Sequence, residues 1–505
     1  MSKVNLDKIT AKIEEQLKRW DVPGLSLAVV QDGETVFAGG VGLRDNESLP
    51  FTGDTLVQIG SCSKAFTATL IARLATDGLL DMDKPVAEYI PGFKLSDDYA
   101  TLHLTIRDFL SHRSGLPRHE YAWYGSGYSR SELVYNLRFL QMNQPVRYKY
   151  QYSNFNYVVA GALVEAVTGM KFEDAMLEKL IKPLGMENTF VYLDQVESRE
   201  DHALPFDHSE EYTMTGIRRV DFYESPAEFR SENAAERVGD PTGPAGCIVS
   251  NSKDMAVWIA FNLAGGKTKD GVQLVRPDLM EMIYTPHITT GDDPFLLPQR
   301  SMNSYALGWS VMNYRGHRML EHGGSLPGFI TSTSFVPDLN LGIFVCANMN
   351  VCLITEAVFG DIIDDVLGEK DGNWYDRMYE YNDAMFKGVV EFFKSFGGEP
   401  LPDTKPSHPL AEYAGEYRAP GYNRFLITEK DGVLTADFNT WKPELKHHHY
   451  ESFATCGSIG ELPAGLILTF GTDGTGKVNT LTVMLGREEN LNPIVFVRQA
   501  KKTPE

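Results

Sequence analysis

The chain has 505 residues, 43% of them hydrophobic and 23% charged, with a formal net charge of -21. That length holds roughly two to four domains, the composition is that of an ordinary globular protein, and the negative charge excludes nucleic acid and anionic membranes as natural partners. No run of about 18 apolar residues occurs, so no transmembrane helix is expected; five scattered cysteines, Cys62, Cys247, Cys346, Cys352 and Cys456, make no zinc-type pairs and suit a reduced cytoplasm.

The stretch Met1–Trp20 lacks an apolar run of secretory type, which again points to the cytoplasm. Ile9, Ile13 and Leu17 recur four residues apart, as on one face of an amphipathic helix. Leu25–Val30 and Thr35–Val41, joined through Asp32-Gly33, predict a β-hairpin. Residues 61–77 predict a buried helix, dense in Ala65, Phe66, Ala68, Leu70, Ile71 and Leu74. Further helical patterns at 105–112, 153–168 and 171–182 lie in an insertion of about 80–240. Strand patterns return at Leu307–Val311, Phe329–Val336 and Leu341–Ala347, followed by a helix at 354–367. Strands and helices from both ends thus flank a helical middle, which predicts one α/β layer with a helical insertion over residues 1–370.

A helix at 374–395 and the Pro/Gly-rich stretch Gly397–Pro409 predict a helical linker over 371–410. Beyond it come short strands with hairpin signals: Tyr422–Thr428, Leu434–Phe438, Leu466–Phe470, Val478–Leu485 and Ile494–Val497. They predict an antiparallel barrel or sandwich over 411–505. Lys446-His447-His448-His449 alternates as a barrel strand would, and is read as that rather than as a metal site. The stretch Tyr121-Ala122-Trp123-Tyr124 either lines a cleft or packs a loop.

Three short motifs carry chemistry. Ser61-Cys62-Ser63-Lys64 follows Gly60 and opens the buried helix, where Ser61 and Lys64 at i and i+3 share a face. The helix start offers free N–H groups and a positive dipole end, and a buried lysine there loses charge readily and acts as a base toward the hydroxyl. A second tetrad, Ser250-Asn251-Ser252-Lys253, precedes the helical run Met255–Leu263, and Ser250 is read as a helix cap. Tyr152-Ser153-Asn154 begins another helix; the Tyr152 hydroxyl is a candidate proton relay and Asn154 a polar substrate contact, the plain alternative being a cap and a packing residue. His322-Gly323-Gly324 precedes an apolar strand, and its glycines let a ligand approach the backbone; the plain alternative is a turn with a surface histidine.

Together these motifs resemble the penicillin-recognising serine hydrolases: class C β-lactamases, D,D-peptidases, D-aminopeptidases and related esterases. Flanking residues extend the match across about residues 20–365: Gly60, Leu110-Ser111-His112-Arg113-Ser114-Gly115-Leu116-Pro117, Ala245-Gly246-Cys247-Ile248-Val249-Ser250 and Gly308-Trp309. The C-terminal part resembles the lipocalin-like barrel of some members. The resemblance implies an α+β fold, a β-lactamase/transpeptidase-like sandwich of an antiparallel sheet with flanking helices and a helical subdomain, followed by an antiparallel β-barrel. It implies that Ser61 forms an acyl-enzyme, that Lys64 and Tyr152 move protons, that Asn154 lines the acyl side, and that the N–H groups of Ser61 and Ser325, beside Gly324, form the oxyanion hole. No metal or other cofactor is implied. The third motif departs from the Lys-Thr-Gly of β-lactamases and D,D-peptidases; a histidine gives only a pH-dependent charge, which counts against recognition of a β-lactam carboxylate. The expected activity is a hydrolase of a small peptide, amide or ester, peptidase or amidase first and D-residues among the candidate substrates, with carboxylesterase, β-lactamase and peptide cyclase as alternatives and a catalytically silent assembly or binding protein as the non-enzyme rival. The expected partner is a small-molecule or peptide substrate, and homo-oligomerisation stays open.

Overall fold

Helix α1 (Leu6–Trp20) starts where Asn5 accepts the Lys8 N–H at 3.2 Å, and it buries Ile9, Ile13, Leu17 and Trp20 on one face. Strands β1 (Gly24–Gln31) and β2 (Glu34–Gly42) form the expected hairpin. Its turn takes Asp32 at φ 55 and Gly33 at φ 81, the paired left-handed conformation that suits the strand twist. The computed structural model describes residues 3–45, 47–192, 194–197, 199–208, 217–219, 240–395, 399–456, 465–486 and 489–500. These fall into two compact units. The first comprises Met1–Phe93, Tyr99–Gly115 and Pro145–Phe386, and the second Lys94–Asp98, Leu116–Gln144 and Lys387–Glu505.

The first unit continues through α2 (Ser63–Thr76), α3 (Asn154–Thr168) and α4 (Ser252–Leu263). Then come strands β3 (Ile288–Thr289), β4 (Arg300–Tyr305), β5 (Ser310–Tyr314), β6 (His317–Leu326), β7 (Phe329–Val336) and β8 (Leu341–Ala347), and helices α5 (Ile354–Leu367) and α6 (Trp374–Ser395). The strands form one eight-stranded sheet in the order β2-β1-β8-β7-β6-β5-β4-β3, antiparallel at every pairing. Every residue of β1 and of β8 is buried, as central strands covered on both faces require. On one face α1, α5 and α6 share a core with the sheet through Ile13, Trp20, Leu27, Ile343, Ile362, Trp374 and Met378. Toward α4 the sheet is close enough that a Cβ on Gly342 would lie 2.2 Å from Ile259 Cγ2.

Three local expectations change. Leu307–Val311 is not one strand: Ala306–Trp309 is a turn between β4 and β5, closed by Ala306 N–H to Trp309 O at 2.7 Å. Gly308 sits there at φ +74, with the Lys64 carbonyl 2.7 Å from where its Cβ would be, so the apolar run is a buried turn held against α2. His322-Gly323-Gly324 lies inside β6 rather than ahead of a strand. Helix α6 begins as part of the first unit's core, through Trp374, Tyr375, Met378 and Phe386, and is not a free linker; residues 397 and 398 of the expected Pro/Gly boundary lie outside the described residues.

The second unit is a closed antiparallel barrel of eight strands: β9 (Gly415–Arg418), β10 (Phe425–Lys430), β11 (Val433–Asp437), β12 (Glu444–His449), β13 (Ser452–Thr455), β14 (Ile467–Thr472), β15 (Val478–Val483) and β16 (Ile494–Arg498). The first and last strands close it through Tyr417 opposite Arg498. Buried rings fill it, with Tyr413 5.1 Å from Phe453 and Phe425 stacked 4.0 Å from Phe438. Lys446–His449 falls on a strand, as its alternation suggests. The segment 116–144, expected inside the helical insertion of residues 1–370, instead folds with the barrel. Tyr121 and Tyr124 pack on Trp441 at 5.2 and 6.0 Å, and Asn439 Nδ2 donates to both of their carbonyls, at 3.0 and 2.9 Å. Those aromatics therefore pack a loop. Residues 209–216 and 220–239 of the insertion lie outside the described residues.

Candidate active site

Ser61 sits in a 3-10 turn, Gly60–Cys62, that runs directly into α2. Gly60 takes φ +52, and a Cβ there would lie 2.9 Å from the Ser325 backbone nitrogen. A Cβ on Gly324 would lie 2.0 Å from Ile59 O and 3.2 Å from Ser61 N. Only glycines at both positions let the Gly60–Cys62 turn and β6 lie this close, with the backbone nitrogens of Ser325 and Ser61 at the two contacts. Cys62 fastens the same contact, its thiol donating to His322 O at 3.0 Å; burial pushes that thiol up to about 12, so it stays protonated.

Lys64 is fully buried. Its Nζ lies 2.8 Å from Ser61 Oγ and donates to Ala245 O at 2.8 Å. It also stands 4.8 Å from the centre of the Tyr152 ring and 5.4 Å from that of Tyr157. Tyr152 precedes α3, whose cap position is taken by Ser153 without a side-chain capping bond. The Asn154 Oδ1 is shielded from water and has no hydrogen-bond partner, an acceptor that a substrate N–H could satisfy.

His322 is 5% exposed, not the surface residue of a turn. Its Nδ1 is 2.6 Å from Gly323 O. A carbonyl only accepts, so Nδ1 carries the proton and Nε2 accepts from the Tyr305 hydroxyl, 2.8 Å away. Burial above all lowers the imidazole's pKa to about 3. His322 is thus neutral near pH 7, with both nitrogens engaged. Tyr305 is itself buried, which raises its hydroxyl well above the ordinary value, so it remains a donor.

The structure thus brings Ser61, Lys64, Tyr152, His322, Gly324 and Ser325 to one region of the first unit, with Asn154 the first residue of α3. Sequence reasoning did not give roles to Ala245, Tyr305 or His112. Ala245 and His112 lay in quoted flanks, and Tyr305 stands three residues before Gly308-Trp309; none carried a signal of its own. Among the described residues no group of three or more His, Cys, Asp or Glu side chains could hold a metal ion, and no helix is long and apolar enough to cross a membrane.

Comparison with known proteins gives the same family for the unit that carries this geometry. The Beta-lactamase family model matches residues 9–351, and a domain of unknown function (DUF3471) matches residues 399–498. The "Unguisins hydrolase ungD'" of Aspergillus campestris is 30% identical over 498 residues, covering 93% of this chain and 88% of that protein. Among solved structures, the octameric penicillin-binding protein homologue from Pyrococcus abyssi has a TM-score of 0.62 at 19% identity, over 98% of this chain and 100% of that one. The D-amino acid amidase from Ochrobactrum anthropi SV3, complexed with L-phenylalanine amide, has a TM-score of 0.55 at 22% identity, over 72% and 97%. With a serine and a buried lysine in contact at the head of α2 and a family model spanning well over half of its length, the chain belongs to the beta-lactamase family and is a serine hydrolase.

Proposed function

We propose that the protein hydrolyses a small peptide or amide through an acyl-enzyme on Ser61. The observation that carries this reading is the 2.8 Å contact between Ser61 Oγ and the Nζ of a fully buried lysine beside Tyr152. Ser61 Oγ attacks the substrate carbonyl carbon while its proton passes to Lys64 in its amine form. The resulting oxyanion is held by the N–H groups of Ser61 and Ser325, each worth about 3 kcal/mol in comparable sites. The C–N bond breaks as Tyr152 gives a proton to the leaving amine and recovers one from Lys64. Water then attacks the ester, losing its proton through the same pair, and Ser61 is regenerated. Asn154 Oδ1 takes an N–H of the acyl part.

A neutral His322 with both nitrogens occupied offers no cation to a substrate carboxylate. That ranks a peptide or amide recognised away from a free carboxylate first, an ester second and a β-lactam third. The amidase among the structural neighbours supports this order, and the unguisins hydrolase among the relatives supports hydrolysis. The octameric homologue, covered over its whole length, supports assembly into a homo-oligomer, which light scattering on a sizing column tests. The substrate reading is tested by screening peptide amides, D-residue peptides, esters and β-lactams against wild type and Ser61→Ala. Turnover of amides that disappears in the variant supports it; turnover confined to β-lactams contradicts it.

A further inference from the structure

Tyr152 can carry a proton only if its hydroxyl is held at the right distance from Ser61 and Lys64, and the backbone on both sides of it is bound by one histidine. His112 follows the short helix Ile106–Leu110 and is fully buried. It takes φ 56, in the left-handed region that costs most residues energy and that Asn tolerates better. Its carbonyl accepts the Gln151 N–H at 2.8 Å, and its Nδ1 accepts the Ser153 N–H at 3.2 Å. One residue therefore binds the backbone on both sides of Tyr152.

The ring of His112 also lies 4.4 Å from the Tyr152 ring, centre to centre. The tautomer is fixed from behind. Ser114 Oγ donates to Asn156 Oδ1 at 2.9 Å, so the Asn156 amide nitrogen faces His112 Nδ1 at 3.1 Å and donates to it. With two donors aimed at Nδ1, the ring proton sits on Nε2. Ser114, Ser153 and Asn156 are all buried, so no water replaces these bonds. The turn that carries His112 is braced in turn. Asp108 receives Arg113 Nε at 2.8 Å and Arg147 Nε at 2.9 Å, and Arg147 N–H donates to Arg113 O at 2.7 Å. The chain on both sides of Tyr152, from Arg147 to Ser153, is thus docked on residues 108–113.

We propose that His112 is a positioning residue for the reaction: it clamps Tyr152 through Gln151 and Ser153 and sets the reach of its hydroxyl to Ser61 and Lys64. This rests on Tyr152 being the proton carrier. A displacement of about 1 Å at such a group costs on the order of 10²-fold in rate. His112→Ala removes the Nδ1 acceptor and leaves the Ser153 N–H buried without a partner. His112→Asn keeps an acceptor, Oδ1, near the place of Nδ1 and tolerates the backbone conformation. His112→Gln moves its acceptor one bond farther out.

The experiment is a double-mutant cycle with Tyr152→Phe on the full chain, reading kcat and KM on one amide or activated-ester substrate. His112→Ala should lower kcat by about 10–10²-fold and leave KM within a factor of about three. His112→Asn should recover most of the loss and His112→Gln should not. In the Tyr152→Phe background, His112→Ala should cost almost nothing further, because the group it positions is gone. The same multiplicative loss in both backgrounds would show a merely structural role and overturn the proposal, as would full kcat in His112→Ala. If that variant does not fold, the Asn and Gln variants carry the same comparison: equal kcat in the two overturns it. Full activity in Tyr152→Phe alone defeats the proton-carrier reading instead, so the two failures are told apart.

Discussion

Ser61-Cys62-Ser63-Lys64 and Ser250-Asn251-Ser252-Lys253 share a four-residue pattern, lie in the same unit and each stand at the head of a helix. In the first, Lys64 is fully buried and touches Ser61. In the second, the Lys253 side chain is 55% exposed and pairs with an equally exposed Asp54. Ser250 there shares a hydrogen bond with Thr189 at 2.8 Å, and the cap is Asn251, whose side chain accepts the Asp254 N–H at 2.9 Å; Ser250, expected to cap, lies one residue early, in a short strand paired with Val57. What separates the two tetrads is the backbone ahead of them. Gly60 lets β6 close over the first serine, whereas the second serine is held inside a strand pair with its lysine left in water. On the proposed reading, the same spacing gives a reactive pair only where burial strips solvent from the lysine and a neighbouring strand supplies backbone donors.

The contrast is broken most directly at the two lysines. Lys64→Ala should lower kcat by about 10²–10⁴-fold or more, the scale of a lost general base. Lys253→Ala should leave turnover unchanged and shift stability by less than about 1 kcal/mol, as an exposed ion pair does. Steady-state kinetics and thermal melts of both variants decide, and a comparable loss of turnover at Lys253 would erase the distinction. Tyr152→Phe sharpens it: removing one hydroxyl should keep the fold and cost about 10²–10⁴-fold in kcat, the scale of a lost general acid–base group.

A smaller effect comes from the neutral histidine beside the first tetrad. The folded-state pKa of His322 is about 3, below the ordinary value near 6.5. The unfolded chain therefore binds the proton more readily, and the stability this contributes is present above about pH 6.5 and is lost as pH falls toward 3. Wild type should lose about 2 kcal/mol between pH 8 and pH 5 from this group, a slope that denaturant titrations of His322→Asn should lack. For the same reason KM should show no step from His322 titration between pH 5 and 8. At the second tetrad the expected effect is on stability alone: Asn251→Ala should cost about 1 kcal/mol as a lost helix cap and leave kcat alone.

Much of this was legible in the sequence because the signals are local. The spacing of Ile9, Ile13 and Leu17, the Asp32-Gly33 turn, and helices 354–367 and 374–395 reflect periodicity and turn chemistry that act within a few residues. The three motifs came into view through short patterns and their order. What could not be read is long-range. Nothing near Leu307 shows that Gly308 exists to admit the Lys64 carbonyl, so a buried turn looked like a strand. The burial of His322 depends on Tyr305 and on Ile59 approaching Gly324, which its own motif does not carry. Segment 116–144 looked like part of a helical insertion, because its partners Asn439 and Trp441 lie some three hundred residues along the chain. His112 stood in a recognised stretch, but its hold on both neighbours of Tyr152 exists only in three dimensions.

The central claim is that Ser61, and not the look-alike Ser250, is the nucleophile. Incubation with a small fluorophosphonate, followed by intact-mass measurement and peptide mapping, tests it in one step. A single adduct on the peptide containing Ser61, absent in Ser61→Ala and retained in Ser250→Ala, is the predicted result. An adduct on Ser250, or undiminished labelling and turnover in Ser61→Ala, would contradict it.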